Sequence, residues 1–494
     1  MKPLCYKTRV YLTNHINAVI IVTKRIQTMI NSTEVMPIRT QYSALNERVK
    51  TKTFKVIDSI FRNNTNSDYT EKIRELDKNF DYTSNSNYYW STPEQSILYG
   101  TPLYENASES QKIALNHLYW AMQYSKVPAD EAATMRFNQI TASVFSAVGG
   151  LETLCQELAL ETDQERYHIH AFQRISRLTK KAILGKKLRQ SYPTTVKEVN
   201  NKIQVDKNKF SNNSKLSKIF YRSSYSILRF INQITLESKG QKPSKYLQEL
   251  EKNSEFIQVP TDGVLSRFPF RRLTMQLLTL NFGTSFFLAS HYYCLRLIAN
   301  MMLKNWEYNY VNYFRKLDKQ GKFIPAPTSV SYLHLLDESF HTTISKTIAK
   351  DLYKCFKKPT AYEQFIANMD IYLMQINLKG LSGVVPYRFI DDDPSFMFFF
   401  YQLLQTPLFD MSASEALHWL EKCFCQEHEG FHLTFTNHQR LLSNLCQSFD
   451  GIDYLWTINR EMRPMASGDS INNAIQNNIH NFTRFSKIVT PRSQ

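Results

Sequence analysis

Glycine is scarce in this 494-residue chain, at 13 residues, and no glycine-rich fingerprint of the dinucleotide-binding kind is visible. Any redox chemistry therefore needs an external electron donor. Cysteine is equally thin. Cys5, Cys155, Cys294, Cys355, Cys423, Cys425 and Cys446 are an odd, scattered set, which excludes a disulfide framework and points to a reducing, cytoplasmic compartment. The one close pair, Cys423 and Cys425, has a single intervening residue and no second pair nearby, so it does not describe a zinc site. No run approaches the roughly 18 apolar residues of a spanning helix. The short apolar run Ala18 to Val22 is flanked by charge and is no secretory signal. Strand-like alternation is almost absent, which predicts an all-α fold.

Charge is in excess, with 60 Lys+Arg against 44 Asp+Glu and a net +16. It is not spread evenly. Residues 173–222 hold fourteen basic side chains and only Glu198 and Asp206 as acids, so about three quarters of the excess lies in one tenth of the chain. The Asn- and Ser-rich tail of that stretch reads as a solvated connector. Aromatics interleaved with the basic residues are few, which disfavours a nucleic-acid surface. The rest of the chain is close to balanced.

Helical patterns dominate after Pro93. Ser108 opens one helix, Pro128 sits in the first turn of a second running Ala129 to Val148, and Gly149-Gly150 ends it. A third is expected from Leu151 to about Leu184, a long apolar one from Arg272 to Lys319, and another from about Thr328 to Lys357. Further stretches lie near 360–380, 395–406, 412–447 and 470–488. The expected organisation is a poorly patterned extension over 1–85 with at most one or two short helices, a bundle over 86–358 with a basic insertion at about 178–250, and a C-terminal helical region over 359–494.

Two Glu-x-x-His motifs lie inside predicted helices, Glu165 to His168 and Glu338 to His341. Positions i and i+3 share a helix face, so each aims a carboxylate and an imidazole at one point. Di-iron carboxylate bundles use two such motifs plus one Glu from each of two further helices. Antiparallel hairpins predict where those lie. Glu131 precedes the Gly149-Gly150 turn by about as many residues as Glu165 follows it, within one helical turn, and Glu307 and Glu338 bracket a turn near Phe323 almost equally. His334, four residues before Glu338, lies on the same face. The expected ligands are thus Glu131, Glu165, His168, Glu307, His334, Glu338 and His341. This hard oxygen and imidazole set suits two iron ions, or manganese, better than zinc or calcium. Asp337 is a candidate acceptor for a ligand imidazole N–H. His291 lies about 24 Å up its helix from that level and reads as a core histidine. A third motif, Glu429 to His432, shows how little one copy means: with Glu427 and His428 it could hold a metal, but no second helix supplies obvious partners. The acidic run Asp391 to Asp393 before Pro394 reads as a helix start. Phe137, Phe145, Phe286 and Phe287 are candidate pocket-lining residues, although aromatics at helical spacing are more often core.

The sequence resembles the di-iron N-oxygenases typified by p-aminobenzoate N-oxygenase (AurF). The resemblance is carried by Trp90-Ser91-Thr92-Pro93-Glu94, Leu98-Tyr99-Gly100-Thr101-Pro102-Leu103-Tyr104, Ala114 to Trp120, and the string His334-x-x-x-Glu338-x-x-His341, and it covers about 85–355. It implies a ferritin-like four-helix bundle, two irons, O2 as co-substrate and oxidation of a small organic substrate, in the type members an aryl amine. N-oxygenation of an amine is then the leading expectation. C–H hydroxylation or desaturation is the alternative, and a non-catalytic metal-binding or interaction protein the alternative of another class. A homodimer is left open.

Overall fold

The computed structural model describes residues 47–185, 280–381 and 393–489, apart from 68, 357, 380 and 469. All of them belong to one unit, Asn46–Gln494. The class is all-α, and no strand occurs among the described residues. Four helices form the centre: α4 (Val127–Val148), α5 (Glu152–Leu184), α6 (Phe286–Lys319) and α7 (Ala326–Lys350). They run as two hairpins, with α4 packed on α6 and α5 on α7. The first hairpin turns at Gly149 and Gly150, with φ of +78° and +76°, and the second at Gly321, with φ of +61°. These left-handed conformations cost a side-chain-bearing residue about 1–2 kcal/mol, so glycine ends the helices there.

Residues 47–85 carry more order than their composition suggested. Helices α1 (Glu47–Thr65) and α2 (Tyr69–Asn79) both pack on α5 and α7. On α1, Thr53, Ile57, Ile60 and Asn64 are buried, a 4-3-4 spacing that lines one helix face. α3 (Glu109–Gln123) starts at Ser108 as expected, where the hydroxyl and the Gln111 side chain satisfy each other's end of the helix in a capping box.

Three stretches differ from expectation. α7 stops at Lys350, short of the expected Lys357, and a separate 3-10 turn, Leu352–Cys355, follows it. The expected stretch Arg272 to Lys319, of which 272–279 lie outside the described residues, is interrupted at Ser285: residues 280–284 are helical, Ser285 is extended, and α6 restarts at Phe286, capped by Ser285 accepting a hydrogen bond from the Leu288 N–H. The expected stretch 412–447 is two helices, α10 (Ala413–Cys425) and α11 (Glu429–Phe449), since His428 is extended and its ring accepts from the Gly430 N–H. The remaining C-terminal helices are α8 (Ala361–Leu378), α9 (Asp393–Leu404) and α12 (Ile471–Val489). α8 and α11 pack on α6, and α9 and α10 pack on α12. Asp391, Asp392 and almost all of the basic insertion lie outside the described residues. No helix among the described residues is long and apolar enough to cross a membrane.

Candidate metal centre

All seven expected ligands converge inside the four-helix centre. Glu131 comes from α4, Glu165 and His168 from α5, Glu307 from α6, and His334, Glu338 and His341 from α7; none is more than 7% exposed. Two donor groups overlap at His168. One ligand atom each from Glu131, His168 and His334 lies within 4.8 Å of the others, and so does one each from Glu165, His168 and Glu338. Glu307 and His341 flank them. His334 Nδ1 is 3.0 Å from both Glu307 oxygens, and His341 Nδ1 is 2.7 Å from Glu338 Oε1 and 3.5 Å from Glu165 Oε1.

A buried polar frame fixes the rings. His168 Nε2 donates to Asp337 Oδ2 at 3.0 Å, which turns Nδ1 toward Glu165 Oε2 at 3.3 Å. Asp337 also accepts from Gln164 and Thr70. Gln164 donates to Asn64 Oδ1 at 2.7 Å, so its own oxygen accepts from His341 Nε2 at 3.0 Å. The Tyr124 hydroxyl donates to Glu307, and Ser331 Oγ is 2.7 Å from it. Arg296 pairs with Glu161 and lies 3.5 Å from Glu165 Oε1.

Electrostatics show what this cluster wants. Burial raises the Glu131 carboxyl to about 7, aided by repulsion from Glu165, and burial likewise raises Glu307. His168 and His341 also lose stability as cations on burial, but hydrogen bonds to Asp337 and Glu165 lift His168 to about 9, and the Glu338 charge lifts His341 to about 10. Four carboxylates and three imidazoles are holding positive charge among themselves. Both Glu131 oxygens and His334 Nε2 are nonetheless buried with no hydrogen-bond partner, although Nε2 is 3.3 Å from Glu131 Oε1. Leaving such groups unpaired costs about 1–3 kcal/mol each. A cation bound between them removes that cost, so the residues fit a metal, and the oxygen and imidazole donors fit iron or manganese.

The decoys separate cleanly. His291 is buried 3.0 Å from the Tyr454 hydroxyl, and burial lowers it to about 3. His432 pairs with Glu427 in an ion pair more than half exposed on both sides. Cys423 and Cys425 are free thiols. Phe137 stacks on Tyr292, Phe145 and Phe286 stack on Phe356, and Phe287 meets Tyr454 edge-on, so these four rings pack against core. Sequence reasoning missed Gln164, Asn64, Thr70, Tyr124, Ser331 and the Arg296–Glu161 pair. The α1 stripe and the placement of Gln164 next to Glu165 were the available signals.

The fold and the site together define a helical bundle built around a carboxylate–histidine centre of the kind that holds metal. A family model described as acyl halogenase CylC-like matches residues 52–486, and the chain belongs to that family of enzymes. No curated protein and no solved structure matches it.

Proposed function

We propose that this chain is a dimetal oxidative enzyme that halogenates an acyl substrate, using O2, halide and electrons from an external donor. Two irons, with manganese the alternative, would be held by Glu131, Glu165, His168, Glu307, His334, Glu338 and His341. The observation that carries the reading is the buried Glu131 carboxylate facing His334 Nε2 at 3.3 Å, neither atom making a hydrogen bond, in a chain of the acyl halogenase CylC-like family.

When bound, the metals supply the oxidising power by reducing O2. The chain's own part is arrangement. Asp337 fixes His168 with Nδ1 facing the carboxylates, and Gln164 does the same for His341. The Tyr124 hydroxyl and Ser331 orient Glu307. Arg296 offsets the extra charge of Glu161 beside Glu165, so the four carboxylates can balance two divalent ions. Burial of every one of these groups keeps bulk water from the reacting atoms.

Amine N-oxygenation is the second reading, favoured by the string His334-x-x-x-Glu338-x-x-His341. One assay separates them. Chelator-treated protein is loaded with Fe(II) without oxygen, its metal content is measured, and it is then given O2, a reductant and chloride with either acyl substrates or aryl amines. The proposal expects two irons per chain and a product with a chlorine isotope pattern from the acyl set. Oxygen incorporation into the amine alone, or into the acyl chain without halogen, would favour N-oxygenation or hydroxylation. Protein that takes up no metal would overturn all three.

A further inference from the structure

A line of aromatic rings runs from the candidate centre to the surface. Tyr124, whose hydroxyl donates to Glu307, has its ring centroid 4.2 Å from that of Trp120; Trp120 is 5.7 Å from Trp90, and Trp90 is 6.1 Å from Tyr82. The first three are fully buried. Tyr82 is half-buried and lines an open cleft of about 280 Å³ together with Ser86, Ser110, Ala114, Ile183 and Leu408.

Packing alone explains adjacent rings, but not the proton acceptors at the two ends. At the inner end the acceptor is the Glu307 carboxylate. At the outer end it is His117, whose Nε2 donates to the Tyr88 carbonyl at 2.7 Å, leaving Nδ1 to accept from the Tyr82 hydroxyl at 3.1 Å. Burial lowers His117 to about 4, so the ring is a neutral base near pH 7. A phenol loses an electron readily only when its proton has somewhere to go. The two stations between, both tryptophans, need no proton acceptor to carry a positive hole.

We propose that Tyr124, Trp120, Trp90 and Tyr82 form a hole-transfer chain that drains an oxidised metal centre when no substrate is bound. This rests on the dimetal reading above. Tyr124 gives one electron to the oxidised centre and its phenolic proton to Glu307. Trp120 then gives one electron to the Tyr124 phenoxyl, which retakes the proton. Trp90 reduces the Trp120 cation, and Tyr82 reduces the Trp90 cation while passing its proton to His117 Nδ1. A small one-electron reductant of the ascorbate or thiol class, reaching Tyr82 through the cleft, restores the phenol as the proton returns. One electron enters from the reductant and one reaches the centre, so charge balances.

The test uses full-length protein loaded with Fe(II), its iron measured, then exposed to O2 without substrate and frozen for electron paramagnetic resonance, with and without ascorbate. Wild type is expected to give an organic radical that ascorbate quenches. Tyr124→Phe loses the signal of the inner tyrosyl. Tyr82→Phe, which keeps the ring and removes the hydroxyl that meets His117, slows ascorbate quenching by about tenfold or more, the effect of a barrier raised by about 1.4 kcal/mol. Trp120→Phe strands the radical on Tyr124 and prolongs it. If iron binds and is oxidised but wild type gives no radical, or if Tyr82→Phe and Trp120→Phe quench as fast as wild type, the chain is refuted and the dimetal reading stands. If no iron binds, the reading beneath both falls, and the hole-transfer role falls with it.

Discussion

Replacing Glu131 by Gln should stabilise the metal-free protein while weakening it as a metal binder, two effects of opposite sign from one atom. Both Glu131 oxygens are buried without a hydrogen bond, and the carboxyl is raised by burial from 4.5 to about 7. Keeping it ionised at pH 8 therefore costs about 3 kcal/mol, at about 1.4 kcal/mol per pH unit of difference. The native state binds the extra proton, so metal-free stability falls as pH rises from about 4.5 through about 7 and is flat above that. Glutamine removes the charge but leaves a buried amide short of partners, at about 1–2 kcal/mol. The net gain at pH 8 is about 1–2 kcal/mol, and near pH 4.5 it vanishes or reverses. Thermal unfolding of chelator-treated wild type and Glu131→Gln at the two pH values measures it as a difference of a few degrees. With Fe(II) or Mn(II) in excess the order should invert, because only the native wild-type site gains the full free energy of binding. A metal-free variant less stable than wild type at pH 8, by as much as at pH 4.5, would refute the claim that burial makes the Glu131 charge a net cost despite His334 at 3.3 Å.

Three further outcomes follow from the same frame. Asp337→Ala frees the His168 ring and strips acceptors from Gln164 and Thr70, so metal affinity measured by competition with a chelator should fall about 10–100-fold, and unchanged affinity would remove Asp337 from the site. Arg296→Met leaves the buried Glu161 charge with no cation and only the Asn138 amide on it, which should destabilise by about 3–5 kcal/mol in denaturant unfolding; adding Glu161→Gln should recover more than half of it, and no recovery would mean that Arg296 acts through packing alone. His432→Ala breaks only an exposed pair and should leave metal content unchanged and stability within about 0.5 kcal/mol, whereas loss of metal would make the third Glu-x-x-His motif functional.

How much of this was legible in the chain depended on whether a signal was periodic. Helix periodicity set the faces, and hairpin symmetry set the levels. Even the three-residue mismatch between Glu131 and Glu165 has a structural meaning. Counted from the Gly149-Gly150 turn, Glu131 is level with His168 and not with Glu165, and Glu131, His168 and His334 form one of the two donor groups. Glu307 similarly meets His334, one helical turn nearer its hairpin than Glu338. What the sequence hid are contacts with no period. Asn64 reaches Glu157 and Gln164 from 93 and 100 residues away, and Thr70 reaches Asp337 from 267. Polar side chains such as these carry no amphipathic signature of their own, and residues 47–85 are rich in Lys, Thr and Asn, which blurs the pattern of α1 and α2. Yet the buried stripe of α1 at Thr53, Ile57, Ile60 and Asn64 ends on the residue that anchors Gln164. The stretch that looked least structured supplies the second layer of the centre. The expected N-terminal extension and the site are therefore one problem: the ring nitrogens find their partners Asp337, Gln164 and Glu307 on the bundle's own helices, but Gln164 and Asp337 are in turn held by Asn64 and Thr70 from α1 and α2.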